Sequence, residues 1–205
     1  MRLKVSHRRI CPAPSQLCDN LRSSLGNIDW TSEQYDRFEP TLTAGKLLEM
    51  PYRISTQNIL DTDDPITVSI QCLVDWMLKR PRLANFEPVR GEIATLNPGA
   101  ELDLHRDRRW FHANSRRMHI PLITNEHCIH IGVIKDQTET YHMDVDHLYE
   151  LNNIDPHKAS NAGTVPRIHL IVDFMPVGFL EERKAAGVKL HARVKPGIWP
   201  EWIDK

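Results

Sequence analysis

The spacing of hydrophobic positions changes along the chain, from helical in the first part to alternating in the second. Between residues 66 and 78, apolar side chains recur three and four positions apart, which predicts a helix. Pro65 suits the first turn of that helix, and Arg80-Pro81 predicts its end. A second helix is predicted over 15–25, with Ser15 as its N-cap. Residues 1–89 are therefore expected to be helical and irregular.

From residue 90 onward, short apolar runs alternate with polar positions and are separated by turn residues. Alternation with period two is typical of β-strands that bury one face. The predicted strands are 92–96, 101–105, 117–124, 128–134, 140–143, 148–152 and 167–174. Asn97-Pro98-Gly99-Ala100 predicts a tight turn between the first two. Short strands spaced about ten residues apart favour an antiparallel barrel or jelly roll.

No linker or repeat divides the 205 residues, so a single domain is expected. We expect residues 1–89 to pack on the barrel, 90–176 to form the jelly-roll core, and 177–205 to form a C-terminal extension. A short helix is predicted over 179–186 in that extension. The predicted fold class is mainly β, a jelly-roll, cupin-like core with flanking α-helices.

Composition excludes several classes of protein. Hydrophobic residues make up 40% and charged residues 26% of the chain, and no apolar run approaches the ~18 residues of a membrane span. Lys and Arg number 26 against 27 for Asp and Glu, so no basic field favours nucleic acid. The basic start lacks an apolar signal-peptide core. Four cysteines without a CxxC pair predict free thiols and a cytoplasmic protein.

His105-Arg106-Asp107 is the sharpest local feature, in a chain with eleven histidines. Residues two apart on a strand point to the same face, so this imidazole and carboxylate can converge on one point. They would supply two ligands of a 2-His-1-carboxylate iron site. His157 is the candidate third ligand, because a barrel brings distant strand ends together. The alternative for an isolated pair is a surface histidine beside a solvated aspartate.

Arg167 opens the apolar strand 167–174 and would point either to solvent or into a pocket. In a pocket, its planar guanidinium would bind a carboxylate through two hydrogen bonds. A dicarboxylic cosubstrate fits this arrangement, because its 2-oxo acid end would chelate iron while its other end would bind the arginine.

Further residues in this region leave alternatives open. Arg106, Arg108, Arg109, Arg116 and Arg117 form a dense basic cluster, which predicts either a solvated loop face or a site for an anionic substrate. His112 and His127 are expected to be solvated in polar loops. His130 and His169 lie on predicted strands, where packed core or pocket-wall positions are expected.

Several short motifs in 90–176 occur together in the order and spacing of one family. They are Asn97-Pro98-Gly99, His105-Arg-Asp107, Arg117-Met-His119, Tyr141-His-Met143, His157 and Pro166-Arg167-Ile-His-Leu-Ile-Val-Asp-Phe174. In this combination the segment resembles the aspartyl/asparaginyl β-hydroxylase-like branch of Fe(II)/2-oxoglutarate-dependent dioxygenases. It is similar also to the proline cis-hydroxylases of that branch around 166–174.

The resemblance implies a double-stranded β-helix and a role for each matching residue. His105, Asp107 and His157 would bind Fe(II), and Arg167 would bind the distal carboxylate of 2-oxoglutarate. Arg117 and His119 match a pair that lies against the cosubstrate, although they could also face the substrate. Two positions depart from related patterns: Ala94 replaces a serine that contacts the cosubstrate, and His169 stands where many oxygenases have a serine.

The implied activity is hydroxylation of an unactivated C–H bond with O₂ as oxidant and release of succinate and CO₂. Two substrate classes are expected: a free amino acid such as proline, or an Asp/Asn-type side chain in a peptide or protein. Neither nucleic acid nor membrane is expected as a partner. The alternatives are a cupin-like metal-binding protein without oxygenase activity, although cupins have His where Asp107 stands, and a catalytically inactive jelly-roll binding module.

Overall fold

The computed structural model of the chain describes residues 5–26, 47–49 and 65–194. Within these ranges the α-helices are α1 Ser15–Leu25, α2 Pro65–Leu78, α3 Trp110–Ala113 and α4 Phe179–Ala185, and a 3-10 turn covers Pro81–Leu83. The strands are β1 His7–Pro12, β2 Leu47–Glu49, β3 Phe86–Leu96, β4 Glu101–His105, β5 Arg116–Ile123, β6 Cys128–Ile134, β7 Gln137–Tyr141, β8 His147–Leu151, β9 His157–Asn161 and β10 Arg167–Pro176.

These strands form two antiparallel sheets. The larger sheet has the order β1-β8-β5-β10-β3-β2, and the smaller has the order β4-β9-β6-β7. Non-consecutive strands are neighbours in both sheets, as in a jelly roll. The structure confirms the predicted mainly β, double-stranded β-helix core with flanking helices.

Strand β10 lies near the centre of the larger sheet and is buried on both faces. Ile168, Leu170, Val172 and Phe174 point to one face, where they join the main hydrophobic core. The intervening residues point to the smaller sheet: Arg167 contacts His130 of β6 there. A strand that is buried on both faces has a nearly continuous apolar sequence, which explains the run Ile-His-Leu-Ile-Val-Asp-Phe.

Helices α1 and α2 cover the outer face of the larger sheet. Leu21 and Leu73, one from each helix, are fully buried in the same core as β10. The predicted helices 15–25 and 65–78 are confirmed, but the predicted N-cap is wrong. Ser15 is the first helical residue, Pro14 takes the cap position, and no side chain caps the helix. Within the described ranges, no helix is long and apolar enough to cross a membrane.

Two strands lack a hydrophobic pattern that sequence reasoning could have recognised. β1 contains His7, Arg8 and Arg9, and is held by pairing with β8. β9 has the sequence HKASN and pairs with both β4 and β6. Their backbone pairing with neighbours, rather than an apolar face, accounts for their strand structure. The predicted strand 140–143 is displaced, because β7 ends at Tyr141.

The division into 1–89, 90–176 and 177–205 stays a prediction. Residues 1–4, 27–46, 50–64 and 195–205 lie outside the described residues, including parts of both flanking regions. Within the described part, α4 confirms the predicted C-terminal helix, and its Phe179 stacks on Trp110 of α3.

The turn Asn97–Ala100 carries the chain from β3 in the larger sheet to β4 in the smaller one. Ala100 N–H donates to the Asn97 carbonyl at 3.0 Å, and Gly99 has φ of +76°. A positive φ at the third position with proline at the second defines a type II turn, which favours glycine. The predicted turn is therefore confirmed, and it directs β4 toward the edge where His105 lies.

Leu170→Ala is expected to lower the free energy of unfolding by about 2–5 kcal/mol, because it leaves a void in a fully buried part of the core. Urea unfolding followed by circular dichroism measures the loss. Val177→Ala is the control, since Val177 is 68% exposed and its truncation should change stability by less than about 0.5 kcal/mol. Equal effects of the two changes would contradict this placement of Leu170.

Candidate active site

Two strand ends bring together the residues of the sharpest sequence motif. His105 ends β4 and His157 begins β9, and the two are directly opposite in the antiparallel register. Their ring centroids are 4.5 Å apart. Asp107 follows β4, and its N–H donates to the Asn153 carbonyl at 3.1 Å. One ligand atom from each of His105, Asp107 and His157 lies within 4.8 Å of the others, so the three could hold a metal ion.

Both histidines are held in the tautomer that a metal ligand needs. His105 Nδ1 donates to the Asp103 carbonyl at 2.7 Å, and His157 Nδ1 donates to the Asp155 carbonyl at 2.9 Å. A carbonyl only accepts, so the proton lies on Nδ1 and the Nε2 lone pair stays free. Burial lowers the pKa of His157, which keeps that imidazole neutral. Such outer hydrogen bonds orient metal-ligating histidines.

Asp107 is ionised and hydrogen-bonded through one of its two oxygens. Its Oδ2 accepts a hydrogen bond from Arg117 Nη1, while its Oδ1 lies 3.9 Å from His105 Nε2. Burial by itself would raise the pKa of Asp107, but the positive charge of Arg117 outweighs it and holds the pKa below its usual value. The site therefore offers two imidazole Nε2 atoms and one carboxylate, a donor set that suits Fe(II).

A cavity of about 370 Å³ lies between the two sheets and contains this cluster in its wall. Strand β10 runs along it, with Arg167 and Asp173 separated by six residues, about 20 Å along the strand. Apolar side chains of Leu102, Leu151 and Ile171 line other parts of the wall. The cavity therefore extends along β10, with Arg167 at one end of it.

Arg167 is buried at one end of the cavity, and no carboxylate in the described part of the chain is its counter-ion. It is only 5% exposed, and its Nη1 reaches His130 Nε2 at the long distance of 3.5 Å. Its Nε has no hydrogen-bond partner, and among the side chains that the structure describes no carboxylate lies within ion-pair distance. Burial lowers the pKa of Arg167 to about 10, so it remains charged at pH 7. A buried, unpaired guanidinium is costly unless an anion binds it.

Three imidazoles surround this end of the cavity. His119 Nδ1 and His169 Nδ1 are 3.3 Å apart, and the ring of His130 stacks on His169 with centroids at 5.6 Å. Burial, followed by the charges of nearby arginines, lowers the pKa of all three well below the usual value. They are therefore neutral, and Nε2 of His119 and of His169 has no partner.

The opposite end of the cavity carries charges of both signs. Arg90 hydrogen-bonds to Glu92 and lies 3.4 Å from Asp173. Burial raises the pKa of Glu92 despite the nearby Arg90. Arg109 also lines the cavity, but its side chain is exposed. These groups mark the end of the cavity away from Arg167 as polar.

The predicted site residues all line this cavity, but they do not all face the same part of it. His105, Asp107 and His157 meet, and Arg167 lies at one end. His119 is paired with Ile171, which lies between Arg167 and Asp173 on β10. Arg117 instead faces Asp107, Asp173 and His112. The basic cluster is divided by strand alternation: Arg117 points inward, whereas Arg116 contacts Glu150 and the Arg82 carbonyl.

Sequence reasoning missed two residues of the cavity region. His112 was expected to be solvated, but its side chain is only 16% exposed and accepts a hydrogen bond from Arg117 at 2.7 Å. The reason is that α3 packs Trp110 and Phe111 into a small apolar cluster, which folds the loop inward. Asp173 had no assigned role, although it lies an even number of positions from Arg167 and so shares its face.

A comparison with protein-family models agrees with this geometry. Residues 76–176 match the family described as Aspartyl/Asparaginyl beta-hydroxylase. This is the family that the sequence motifs of 90–176 resemble. The matched segment runs from within α2 to the end of β10 and contains all six predicted site residues. No curated protein sequence matches the chain.

Solved structures share the fold of this chain at low sequence identity. A prolyl hydroxylase from Trichoplax adhaerens, solved with a hypoxia inducible factor peptide fragment, is 12% identical over 90% of this chain and 88% of its own, with a TM-score of 0.62. HygX from Streptomyces hygroscopicus, solved with nickel and 2-oxoglutarate, is 12% identical over 94% and 93%, with a TM-score of 0.57. A Pseudomonas putida prolyl-4-hydroxylase is 17% identical over 84% and 94%, with a TM-score of 0.53.

The β-hydroxylase family match and the oxygenase fold together give the general activity. The protein is an Fe(II)- and 2-oxoglutarate-dependent oxygenase of the hydroxylase class, as the resemblance predicted. The three-residue cluster fits the metal, and the unpaired Arg167 fits an anionic cosubstrate. The match favours this class over a cupin-like metal-binding protein and over an inactive binding module.

The buried imidazoles predict that the metal-free hydroxylase loses stability on mild acidification. The groups facing His169 are Arg167, His130, His119 and His142, and none of them is a carboxylate. Below pH ~6.5 the unfolded chain binds a proton on this histidine while the folded protein keeps it neutral. The free energy of unfolding should therefore fall with pH, by up to about 1.4 kcal/mol per pH unit for this group.

His169→Asn is expected to reduce the pH dependence of the free energy of unfolding by about 1.4 kcal/mol per pH unit. The reason is that the unfolded variant binds one proton fewer on acidification than the unfolded parent does. Urea unfolding between pH 7.5 and 5.0 measures it. His127→Asn is the control, since His127 is solvent-exposed and its substitution should leave the slope unchanged. An unaltered slope in His169→Asn would show that this ring is not kept neutral by the fold.

Proposed function

We propose that His105, Asp107 and His157 hold the Fe(II) ion of this hydroxylase. Support comes from the convergence of their ligand atoms within 4.8 Å, and from the hydrogen bonds that leave Nε2 of both histidines free. Three protein ligands on one side of the ion leave positions open for other ligands. When bound with 2-oxoglutarate and O₂, the iron supplies the oxidising power to hydroxylate an unactivated C–H bond, releasing succinate and CO₂.

Arg167 binds the distal carboxylate of 2-oxoglutarate. The observation that carries this proposal is that no carboxylate of the described residues pairs with this buried guanidinium, which lines the cavity. A carboxylate would accept hydrogen bonds from the unpartnered Nε and from Nη1, and it would neutralise the charge. His119 lines the same part of the cavity with a free Nε2, so it contacts the cosubstrate as well.

Neutral imidazoles suit this end of the site. The positive charge of Arg167 is balanced by the distal carboxylate of the cosubstrate, so a protonated histidine here would be an unbalanced positive charge and would be repelled by Arg167. His130 is kept neutral by burial and by the charge of Arg167. Where related patterns have serines, this chain has Ala94 and His169. The polar neighbour of Arg167 is instead His130, whose Nε2 lies 3.5 Å from Arg167 Nη1.

The substrate is a small amino acid or an amino-acid side chain that carries a carboxylate. The end of the cavity away from Arg167 has Arg109 at its mouth, and Glu92 and Arg90 within. Groups of both signs suit a polar substrate with a carboxylate and an amine or amide. A free amino acid fits a cavity of about 370 Å³ that also has to hold the cosubstrate. A peptide or protein substrate is the competing class.

A reducing cytoplasm is the proposed location. All four cysteines are free thiols, and two of them, Cys18 and Cys128, are buried. Proteins of oxidising compartments tend instead to use cysteines in disulfides.

Arg167→Met is expected to weaken 2-oxoglutarate binding by about 2–4 kcal/mol, roughly 30- to 1000-fold, because it removes the charge that binds the distal carboxylate. Isothermal titration with Co²⁺ as the redox-stable metal measures the affinity. The metal-free variant should unfold at the same or a higher temperature than the parent, since it loses an unpaired buried charge. Arg167→Lys should bind with intermediate affinity.

Arg116→Met is the matched control for this arginine. Arg116 is also largely buried but is paired with Glu150 and the Arg82 carbonyl. Its removal should lower the melting temperature and leave 2-oxoglutarate affinity within about twofold. Unchanged cosubstrate affinity in Arg167→Met, with the fold intact, would refute the assignment of Arg167.

The substrate proposal is tested by screening free amino acids and short peptides for succinate release and for a product heavier by one oxygen atom. Turnover should require added Fe(II) and stop with a chelator. Methylation of the substrate carboxylate, or Arg109→Met, should raise KM by about tenfold or more. Arg108→Met is the control, because Arg108 is exposed and is not in the cavity wall. Preference for the methyl ester would contradict the proposed carboxylate contact.

A further inference from the structure

Arg117 makes contacts that differ from those expected of a cosubstrate-binding residue. Its Nε and Nη2 donate to the two oxygens of Asp173 at 2.9 and 3.0 Å, its Nη2 also donates to His112 Nδ1, and its Nη1 donates to Asp107. These contacts use four of the five N–H donors of a guanidinium. Arg117 is 7% exposed and therefore has little capacity left for a further anion.

The register of the larger sheet separates Arg117 from the proposed cosubstrate end. Arg117 is paired with Asp173 across β5 and β10, whereas Arg167 begins β10 six residues earlier. Six residues of strand extend about 20 Å. Arg117 therefore lies at the Asp107 end of the cavity, opposite the end where the distal carboxylate of 2-oxoglutarate is proposed to bind.

We propose that Arg117 is a positioning residue that holds Asp107 as a one-oxygen metal ligand. This inference rests on the proposed ligand set. Because Arg117 occupies Oδ2, only Oδ1 of Asp107 remains directed toward the two histidines. A carboxylate bound through one oxygen takes one coordination position rather than two, which keeps the remaining positions open for the cosubstrate and O₂.

Asp173 is the anchor of this arrangement. It is 1% exposed, and its two oxygens fix the guanidinium plane through parallel hydrogen bonds from Nε and Nη2. Such bidentate contacts define an arginine's orientation as well as its charge. Asp107 lies in a loop after β4, so this connection to the centre of β10 gives a loop ligand a rigid support from the larger sheet.

The test is a double-mutant cycle on metal affinity. Co²⁺ binding is titrated for the parent, Arg117→Met, Asp107→Ala and the double variant, with circular dichroism and melting temperature confirming folding. Arg117→Met should weaken binding by about 10- to 100-fold, as expected for a group that orients a ligand. In the Asp107→Ala background the same change should have an effect of less than about twofold, because the ligand on which it acts is absent.

Arg116→Met is the matched control. Arg116 is the neighbouring arginine on β5 and is also paired with a carboxylate, Glu150, but it points away from the cavity. Its substitution should leave Co²⁺ affinity within about twofold. If Arg117→Met does not fold, Asp173→Asn retains the shape of the anchor but removes its charge and one acceptor oxygen; Co²⁺ affinity should then fall by about three- to tenfold. No loss in Asp173→Asn would overturn the inference in that case.

Two further outcomes separate this inference from the proposed function. If Asp107→Ala binds Co²⁺ as tightly as the parent, the proposed ligand set is wrong. If Asp107→Ala weakens binding but Arg117→Met does not, only the positioning role fails. At saturating Co²⁺, 2-oxoglutarate affinity of Arg117→Met should stay within about threefold; a loss of about 30-fold there, with unchanged metal affinity, would assign Arg117 to the cosubstrate instead.

Discussion

The antiparallel pairing of β4 with β9 is the constraint on which the site depends. It places His105 and His157 opposite each other, although the two residues are far apart in the sequence. β9 also pairs with β6, so the pair of histidines is supported by three adjacent strands. The type II turn at Gly99 sends β4 into this sheet, and the loop that follows β4 returns Asp107 to the same point. Backbone hydrogen bonding thus assembles three side chains that no local segment contains together.

Two buried arginines show how the surroundings of one residue type decide its role. Arg117 has a full set of acceptors, including two carboxylates, and therefore stabilises the arrangement of its neighbours. Within residues 5–26, 47–49 and 65–194, the contact of Arg167 is a distant imidazole, so its donors remain available for a ligand. Both lie on the cavity side of the larger sheet. Burial does not distinguish the two arginines, since both guanidinium groups are buried. The difference between a structural arginine and a ligand-binding one is whether its N–H donors already have acceptors in the protein.

Alternation and helical spacing predicted most elements of the fold, because apolar faces dominate their sequences. The helices α1 and α2 and the strands β4, β6 and β10 were recognisable in this way. β1 and β9 were not, since their stability comes from neighbours rather than from an apolar pattern. The same limit applies to the site. His105 and Asp107 follow from local geometry, but the contact between Arg117 and Asp173 depends on the register of β5 against β10, which no single segment encodes.

The division of β10 into a core face and a cavity face has a consequence for how such enzymes can diversify. A single inserted residue within the strand would reverse every position beyond it, turning Asp173 toward the helices and Phe174 toward the cavity. Insertions in this strand would therefore destroy the core and the site at once. Evolutionary change in substrate range has to proceed through point substitutions on the cavity face, or through loops such as the one carrying Arg109, where added length leaves the strand register intact.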